Sequence, residues 1–260
     1  MKIIVCIKQV PDTNEVKLDP VTGTLIREGV PSIMNPDDKA GLEAALRIKD
    51  TVGAEITVLS MGPTQADSIL REAMAMGADH AYLISDRVFG GADTWATSIT
   101  IAAGIKKLDY DLIITGRQAI DGDTAQVGPQ IAEHLGIPNV SYAEDIKVDG
   151  DHLIVKRQYE DRYHLVKVKM PCLITALSEL GKPRYMTPGG IFDAYRVKTV
   201  TTWTNADLAI NPAEVGLKGS PTRVLSSFPK SLKAAGTKVT LEPEEAAIFI
   251  VDKLKEKFVF

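Results

Sequence analysis

The residues of this 260-residue chain best suited to chemistry lie in one stretch, Gly116-Arg117-Gln118-Ala119-Ile120-Asp121-Gly122-Asp123-Thr124-Ala125-Gln126-Val127-Gly128-Pro129. It follows an apolar run at 111–115 and precedes a helical pattern through His134. A glycine lets backbone approach a ligand, and a helix start offers N–H groups that have no intrahelical acceptor, so the stretch suits a phosphate. Gly116 and Gly122 would supply the approach, Thr124 and Gln126 neutral hydrogen bonds, and Arg117 a positive charge. The same letters also read as a capping box, Asp123-x-x-Gln126, which needs no ligand. Asp121 and Asp123 would repel a phosphate unless they point elsewhere. Neither G-x-x-x-x-G-K-[ST] nor G-x-G-x-x-G occurs, so the loop predicts nucleotide binding without hydrolysis.

Three more segments adjoin strand ends. Met34-Asn35-Pro36-Asp37-Asp38 opens a helix, with Asn35 as cap and Pro36 in the first helical position. Ser60-Met61-Gly62-Pro63 joins a strand to a helix; Gly62 there either makes the turn or leaves room for an adenine ring. Lys8-Gln9-Val10-Pro11-Asp12 closes the first strand. Together the four loops converge on one edge of a sheet, where open α/β sheets take their ligands. Other chemistries lack their equipment. His80, His134, His152 and His164 have no partner at metal-ligand spacing, and no serine sits in a G-x-S-x-G elbow. Cys6 and Cys172 are the only cysteines, both within apolar runs. No catalytic residue and no metal site is predicted, and any reaction would belong to a bound cofactor.

These loops need a frame. Residues 3–8, 55–60, 80–85 and 111–115 are short, rich in Ile, Val and Leu, and read as strands buried on both faces. Between them, 37–52 places Gly41, Ala45, Ile48 and Val52 on one helical face. In the same way 65–76 carries Ala66, Ile69, Leu70 and Ala73, and 93–107 carries Trp95, Ile99 and Ala103. Alternation of this kind predicts a doubly wound, mostly parallel α/β sheet. After 143 the rhythm changes: an antiparallel hairpin extension at 144–170 turns at Asp149-Gly150, and 173–176 is one more strand. From 182 to 260, Pro183, Pro188, Gly189, Gly190, Pro212, Pro221 and Pro229 predict an extended partner-binding arm. It ends in a helix at 242–257 with Ala247, Ile250, Val251 and Leu254 on one side. Residues 1–181 then form the nucleotide-binding domain.

Composition agrees. Apolar residues make 45% and charged residues 25%, as in ordinary soluble globular proteins. A net charge of −4 argues against a nucleic-acid binder held by a basic face. Apolar runs are too short for membrane insertion, and the start has no signal-peptide pattern, so a cytoplasmic location is expected.

The ordered pieces carry a resemblance. Val5-Cys6-Ile7-Lys8-Gln9-Val10-Pro11-Asp12, Met34-Asn35-Pro36, Ser60-Met61-Gly62-Pro63, Ala73-Met74-Ala75-Met76-Gly77-Ala78-Asp79, Gly116 to Asp123, Val155-Lys156-Arg157 and Pro183-Arg184-Tyr185 resemble the beta subunit of electron transfer flavoproteins over nearly the whole chain. The resemblance implies an adenine-nucleotide-binding fold with strand order 3-2-1-4-5 and a C-terminal arm embracing an alpha subunit. It implies that Cys6, Asn35, Pro36, Asp37, Asp38, Met61 and the run from Ile120 through Gln130 to Ile131 hold the nucleotide. In ordinary members that nucleotide is a structural AMP; in electron-bifurcating members it is an FAD that accepts hydride from NADH. The small residues Gly122 and Ala125 look like the bifurcating version, since they leave space for a pyrophosphate at the helix start. The implied partners are an alpha subunit with its own FAD, an acyl-CoA dehydrogenase or enoyl-CoA reductase, and ferredoxin or flavodoxin. In the family a leucine after Pro-Arg-Tyr anchors the dehydrogenase. Here Pro188 holds its place, and Met186, Ile191 or Phe192 would anchor or pack on the alpha subunit instead. A universal-stress type of nucleotide-binding module shares the fold, but it should stop soon after its fifth strand.

Overall fold

The computed structural model of the protein describes residues 1–12, 31–225, 236 and 238–258. In chain order its elements are β1 (Lys2–Cys6), β2 (Gln9–Pro11), β3 (Ser32–Met34), α1 (Pro36–Val52), β4 (Glu55–Met61), α2 (Asp67–Met76), β5 (His80–Ile84), α3 (Thr94–Ile105), β6 (Leu112–Gly116) and α4 (Val127–Leu135). There follow β7 (Asn139–Asp149), β8 (His152–Gln158), β9 (Tyr163–Lys169), β10 (Cys172–Ala176), α5 (Pro188–Arg196), β11 (Val200–Trp203), α6 (Asn205–Leu208), α7 (Gly216–Gly219) and α8 (Pro243–Glu256).

One nine-stranded sheet runs β11-β5-β4-β1-β6-β10-β7-β8-β9. Its centre, β5-β4-β1-β6-β10, is the expected 3-2-1-4-5 order, all parallel. Side-chain alternation along β1 explains the layering. Ile3, Val5 and Ile7 face a core with Leu42 and Ala45 of α1 and Ile69 and Leu70 of α2. Ile4 and Cys6 face the opposite core, with Ile101 and Ile105 of α3 and Ile131 of α4. At Gly41 a Cβ would stand 2.9 Å from Ile114, so α1 lies close on β6 because that position is glycine.

The hairpin extension forms as expected, with Gly150 at φ 63° in its turn. β7 starts earlier than the pattern suggested and runs parallel to β10 before pairing antiparallel with β8. Two helical faces differ from the sequence reading. Val52 closes α1 at 55% exposure, because Gly53 ends the helix at φ 76°. α3 buries Ser98, Ile101, Ala102 and Ile105 rather than Trp95, Ile99 and Ala103. It approaches the sheet along small residues: a Cβ at Gly104 would stand 2.6 Å from Ile84.

The predicted arm is corrected over its first half. The compact unit runs to Leu225, and a second unit begins at Ser226. Pro188 and Gly190, read as breakers, instead start α5. Pro188 stands in the first turn, Thr187 Oγ1 accepts the Gly190 N–H at 3.0 Å, and a Cβ at Gly190 would overlap the Ala75 carbonyl of α2. β11 then joins β5 in parallel register, with Trp203 stacked 4.3 Å from Tyr82. In the second unit, residues 226–235 with Pro229 lie outside the described residues, and α8 buries none of its side chains.

Candidate functional site

The carboxyl ends of β1, β4 and β6 meet the starts of α1 and α4. In the first turn of α1, the buried Asp38 carboxylate accepts the Lys8 N–H at 2.8 Å and the Gly116 N–H at 2.9 Å. One side chain thus ties the ends of two neighbouring parallel strands. A Cβ at Gly116 would overlap Asp38, so this glycine admits the protein's own carboxylate rather than a ligand. Asn35, fully buried, makes no side-chain cap. Its Nδ2 donates to the Gln118 carbonyl at 2.9 Å and its Oδ1 accepts the Ile120 N–H at 3.1 Å. Asn35-Pro36 is therefore more than a helix start: it suspends the loop after β6.

The capping box does not form. α4 begins at Val127, and Gln126 precedes it without a side-chain cap. The Asp123 carboxylate instead accepts from Gln118 Nε2, and Gln126 Oε1 accepts from Thr94 Oγ1 at 2.8 Å. Asp121 pairs with Lys8 Nζ at 2.7 Å. Both loop carboxylates thus have protein partners. Asp123 and Ala125 adopt φ 55° and 53°, which turns the backbone sharply. Among the described residues, the N–H groups of Thr124 to Gly128 donate to no backbone carbonyl. Around Gly122 space is open, since a Cβ there would meet nothing within 4 Å. A Cβ at Gly128 would press on Thr115 and Thr175, so α4 starts tightly against β6 and β10.

Burial, with help from the Asp38 charge, pushes the Cys6 thiol up to about 12. Burial raises Asp38 to about 7, against the pull of its N–H donors. Asp37 is also raised by burial, opposed by the Arg117 guanidinium, whose Nε lies 3.5 Å away. Arg117 therefore serves Asp37 first. Among the described residues, two of the buried side-chain polar atoms without a hydrogen bond, Asp37 Oδ2 and Arg117 Nε, are each other's ion-pair partners. Ser60 Oγ near the end of β4 and Gln130 Oε1 near the start of α4 also lack a hydrogen bond, and such groups are costly unless a ligand or water completes them.

Cys6, Asn35, Asp37, Asp38, Met61 and residues 116–131 thus adjoin one edge of the sheet, with Pro36 exposed beside them. Ile131 stands in the same core cluster as Cys6. Met186, Ile191 and Phe192 do not join them; they are exposed in and before α5, which rests on α2. Sequence reasoning placed Lys8 and Ser60 in the converging loops without giving their side chains a role, and it passed over Thr94. The signal for Thr94 was position alone, at the start of α3 on this same edge.

Residues 22–208 match the family model described as the electron transfer flavoprotein domain. The chain is 60% identical over 257 residues to the electron transfer flavoprotein subunit beta of Clostridium acetobutylicum, covering 99% of each. It is 58% identical over 262 residues to the caffeyl-CoA reductase-Etf complex subunit CarD of Acetobacterium woodii, covering all of both chains. With the acryloyl-CoA reductase electron transfer subunit gamma of Anaerotignum propionicum it shares 48% identity over 267 residues, again end to end.

Proposed function

This chain belongs to the electron transfer flavoprotein family, on its beta-subunit side, and from that premise we propose that it holds an FAD by its pyrophosphate on the loop between β6 and α4. FAD supplies there an acceptor for hydride from NADH and a donor of single electrons: one to ferredoxin or flavodoxin, the other, through an FAD of the alpha subunit, to an acyl-CoA dehydrogenase or enoyl-CoA reductase. The chain itself contributes alignment, and no side chain serves as acid or base. Backbone N–H groups from Thr124 to Gly128 receive the pyrophosphate, with the Thr124 hydroxyl beside them. Met61 and the end of β1 border the adenosine. Met186, Ile191 and Phe192 form the apolar face that receives the dehydrogenase. Two relatives named as subunits of CoA-reductase systems support that choice of partner.

One observation carries the reading: N–H groups without backbone acceptors stand beside the open space at Gly122, while the nearby carboxylates of Asp121 and Asp123 are already engaged. Free N–H donors of this kind support an anionic ligand such as a diphosphate over a cation. Co-purification with the alpha subunit and release of nucleotides should yield two FAD per pair, together with NADH-driven ferredoxin reduction. Gly122→Asp with Ala125→Asn fills the open space without a steric conflict at position 122, and asparagine tolerates the positive φ at 125. That variant should retain one FAD and lose NADH oxidation. A wild-type pair with one FAD, one AMP and no NADH oxidation would refute the bifurcating reading and leave a structural AMP in this loop.

A further inference from the structure

Asp123 brings a carboxylate to the place where an anion would bind. Turned inward, it would accept the N–H of Ala125 or Gln126, two and three residues on, as capping aspartates do. Among the described residues, neither of those N–H groups has a backbone acceptor. A helix start favours a negative group whether it comes from a ligand or from the chain itself. The carboxylate is instead turned away, onto Gln118, whose Nε2 donates to Asp123 Oδ1. Gln118 is itself fixed on the start of α1, because its carbonyl accepts from Asn35 Nδ2 at 2.9 Å. The Ala119 carbonyl accepts the N–H groups of Gly122 at 3.3 Å and Asp123 at 2.8 Å, and this turn returns Asp123 to the Gln118 side chain. The same bond occupies the Asp123 N–H, so the returning arm of a capping box, from Gln126, has no donor to meet. What remains of the box is its carboxylate. Asp123 is exposed, so it is this hydrogen bond and not burial that holds the side chain off the helix start.

We propose that Asp123 is a built-in competitor for the phosphates of the nucleotide, and that Gln118 is the positioning residue that keeps it away from the N–H groups. The proposal rests on the reading that this loop binds the phosphates of a nucleotide. Gln118 acts through Asp123 and makes no contact of its own with the ligand. Without the Gln118 amide the carboxylate swings onto Ala125 and Gln126, caps their N–H groups and repels the incoming charge.

The test uses the full-length chain co-expressed with the alpha subunit and stripped until one FAD per pair remains. ADP, the adenosine diphosphate half of FAD, is the probe. Its dissociation constant is read by equilibrium dialysis, beside hydrogen exchange of the peptide spanning 118–130 in the nucleotide-free pair. Gln118→Leu should weaken ADP about tenfold and slow the exchange of this peptide, because a new acceptor covers its N–H groups. Asp123→Gly removes the competitor at a position whose φ of 55° suits glycine, and should bind ADP within about threefold of wild type. The double variant Gln118→Leu/Asp123→Gly should match Asp123→Gly within about threefold, since Gln118 then has nothing to hold. A double variant about tenfold weaker than Asp123→Gly overturns the proposal, because Gln118 would then act on the ligand directly. Unchanged affinity in Gln118→Leu overturns it too. So does weaker binding with faster exchange, the mark of a loop that has merely loosened. Should Gln118→Leu fail to fold, Asp123→Gly decides: binding more than about threefold weaker there means that the carboxylate assists the ligand, and the proposal falls. A wild-type pair that takes up no ADP refutes the nucleotide reading itself, a result none of the variants can mimic.

Discussion

Replacing Asn35 by alanine removes two hydrogen bonds at once and strands their partners, the Gln118 carbonyl and the Ile120 N–H. Each bond contributes about 1 kcal/mol net, and leaving the partners unpaired raises the loss to about 2–4 kcal/mol. Where that loss appears depends on the loop. If the loop keeps its place, the whole loss falls on global stability and nucleotide affinity is untouched. If the loop lets go, both stranded groups reach water, stability nearly recovers, and the nucleotide has to rebuild the loop. The structure favours the second course. Residues 118–126 lie at the surface and are partly or fully exposed, and the Asn35 amide bonds that loop at Gln118 and Ile120. Asn35→Ala should therefore lower the unfolding free energy of the nucleotide-free protein by under about 1 kcal/mol, and weaken ADP by about 2 kcal/mol, close to 30-fold. Asn35→Asp retains the acceptor for Ile120 but loses the donor toward Gln118 and adds charge beside Asp38, so it should be no milder. Urea unfolding with and without saturating ADP gives both quantities from one series. Affinity within about threefold of wild type in Asn35→Ala would refute the idea that α1 suspends the loop.

Two further outcomes follow from the same geometry. Asp38 is raised from 3.8 to about 7, so between these values the unfolded chain has lost a proton that the folded chain keeps. Unfolding then releases a proton, and this group's contribution to stability falls as pH rises through the window, by about 4 kcal/mol in all, and levels off above it. Asp38→Asn lacks that slope: its urea midpoint relative to wild type should improve steadily from about pH 4.5 to about pH 7.5, and parallel profiles would contradict the burial argument. Ile191→Asp with Phe192→Asp should weaken dehydrogenase binding by at least about tenfold in surface plasmon resonance while flavin content stays at the wild-type value; unchanged binding would remove α5 from the docking face.

The parallel order of the sheet was legible because its central strands are runs of Ile, Val and Leu bounded by turn residues, with helical spacing between them. Register and layering follow from such patterns. What could not be read was every link spanning the chain: the bond from Asn35 to Gln118 joins residues 83 positions apart, and that from Lys8 to Asp121 joins residues 113 apart. The loop itself was readable as a choice between a cap and a phosphate cradle. Only the positive φ at Asp123 and Ala125, with Gln118 taking up the would-be capping carboxylate, decides against the cap. α3 shows the reverse failure: the period was right and the phase wrong, because small residues and not the largest ones set its approach to the sheet. Past 181, the density of Pro and Gly hid Val200-Thr201-Thr202-Trp203, whose β-branched and aromatic residues suit a strand.

That last strand has a consequence for how the molecule is made. From β10 the chain passes to the opposite side of the sheet, and its route is marked on the way. Arg184 forks onto Glu43 of α1 at 2.9 and 3.0 Å and reaches Asp50 at 2.8 Å, and α5 settles on α2 through Arg71. Until β11 arrives, the outer margin of β5 presents a row of unpaired N–H and carbonyl groups, an invitation to pair with another chain. On the ribosome that margin stays open until residue 203 of 260 has emerged, long after the strand it protects. Closure at such sequence distance is slow by its nature, and what closes the sheet is a ribbon of only four residues, too short to invite a neighbour in its turn.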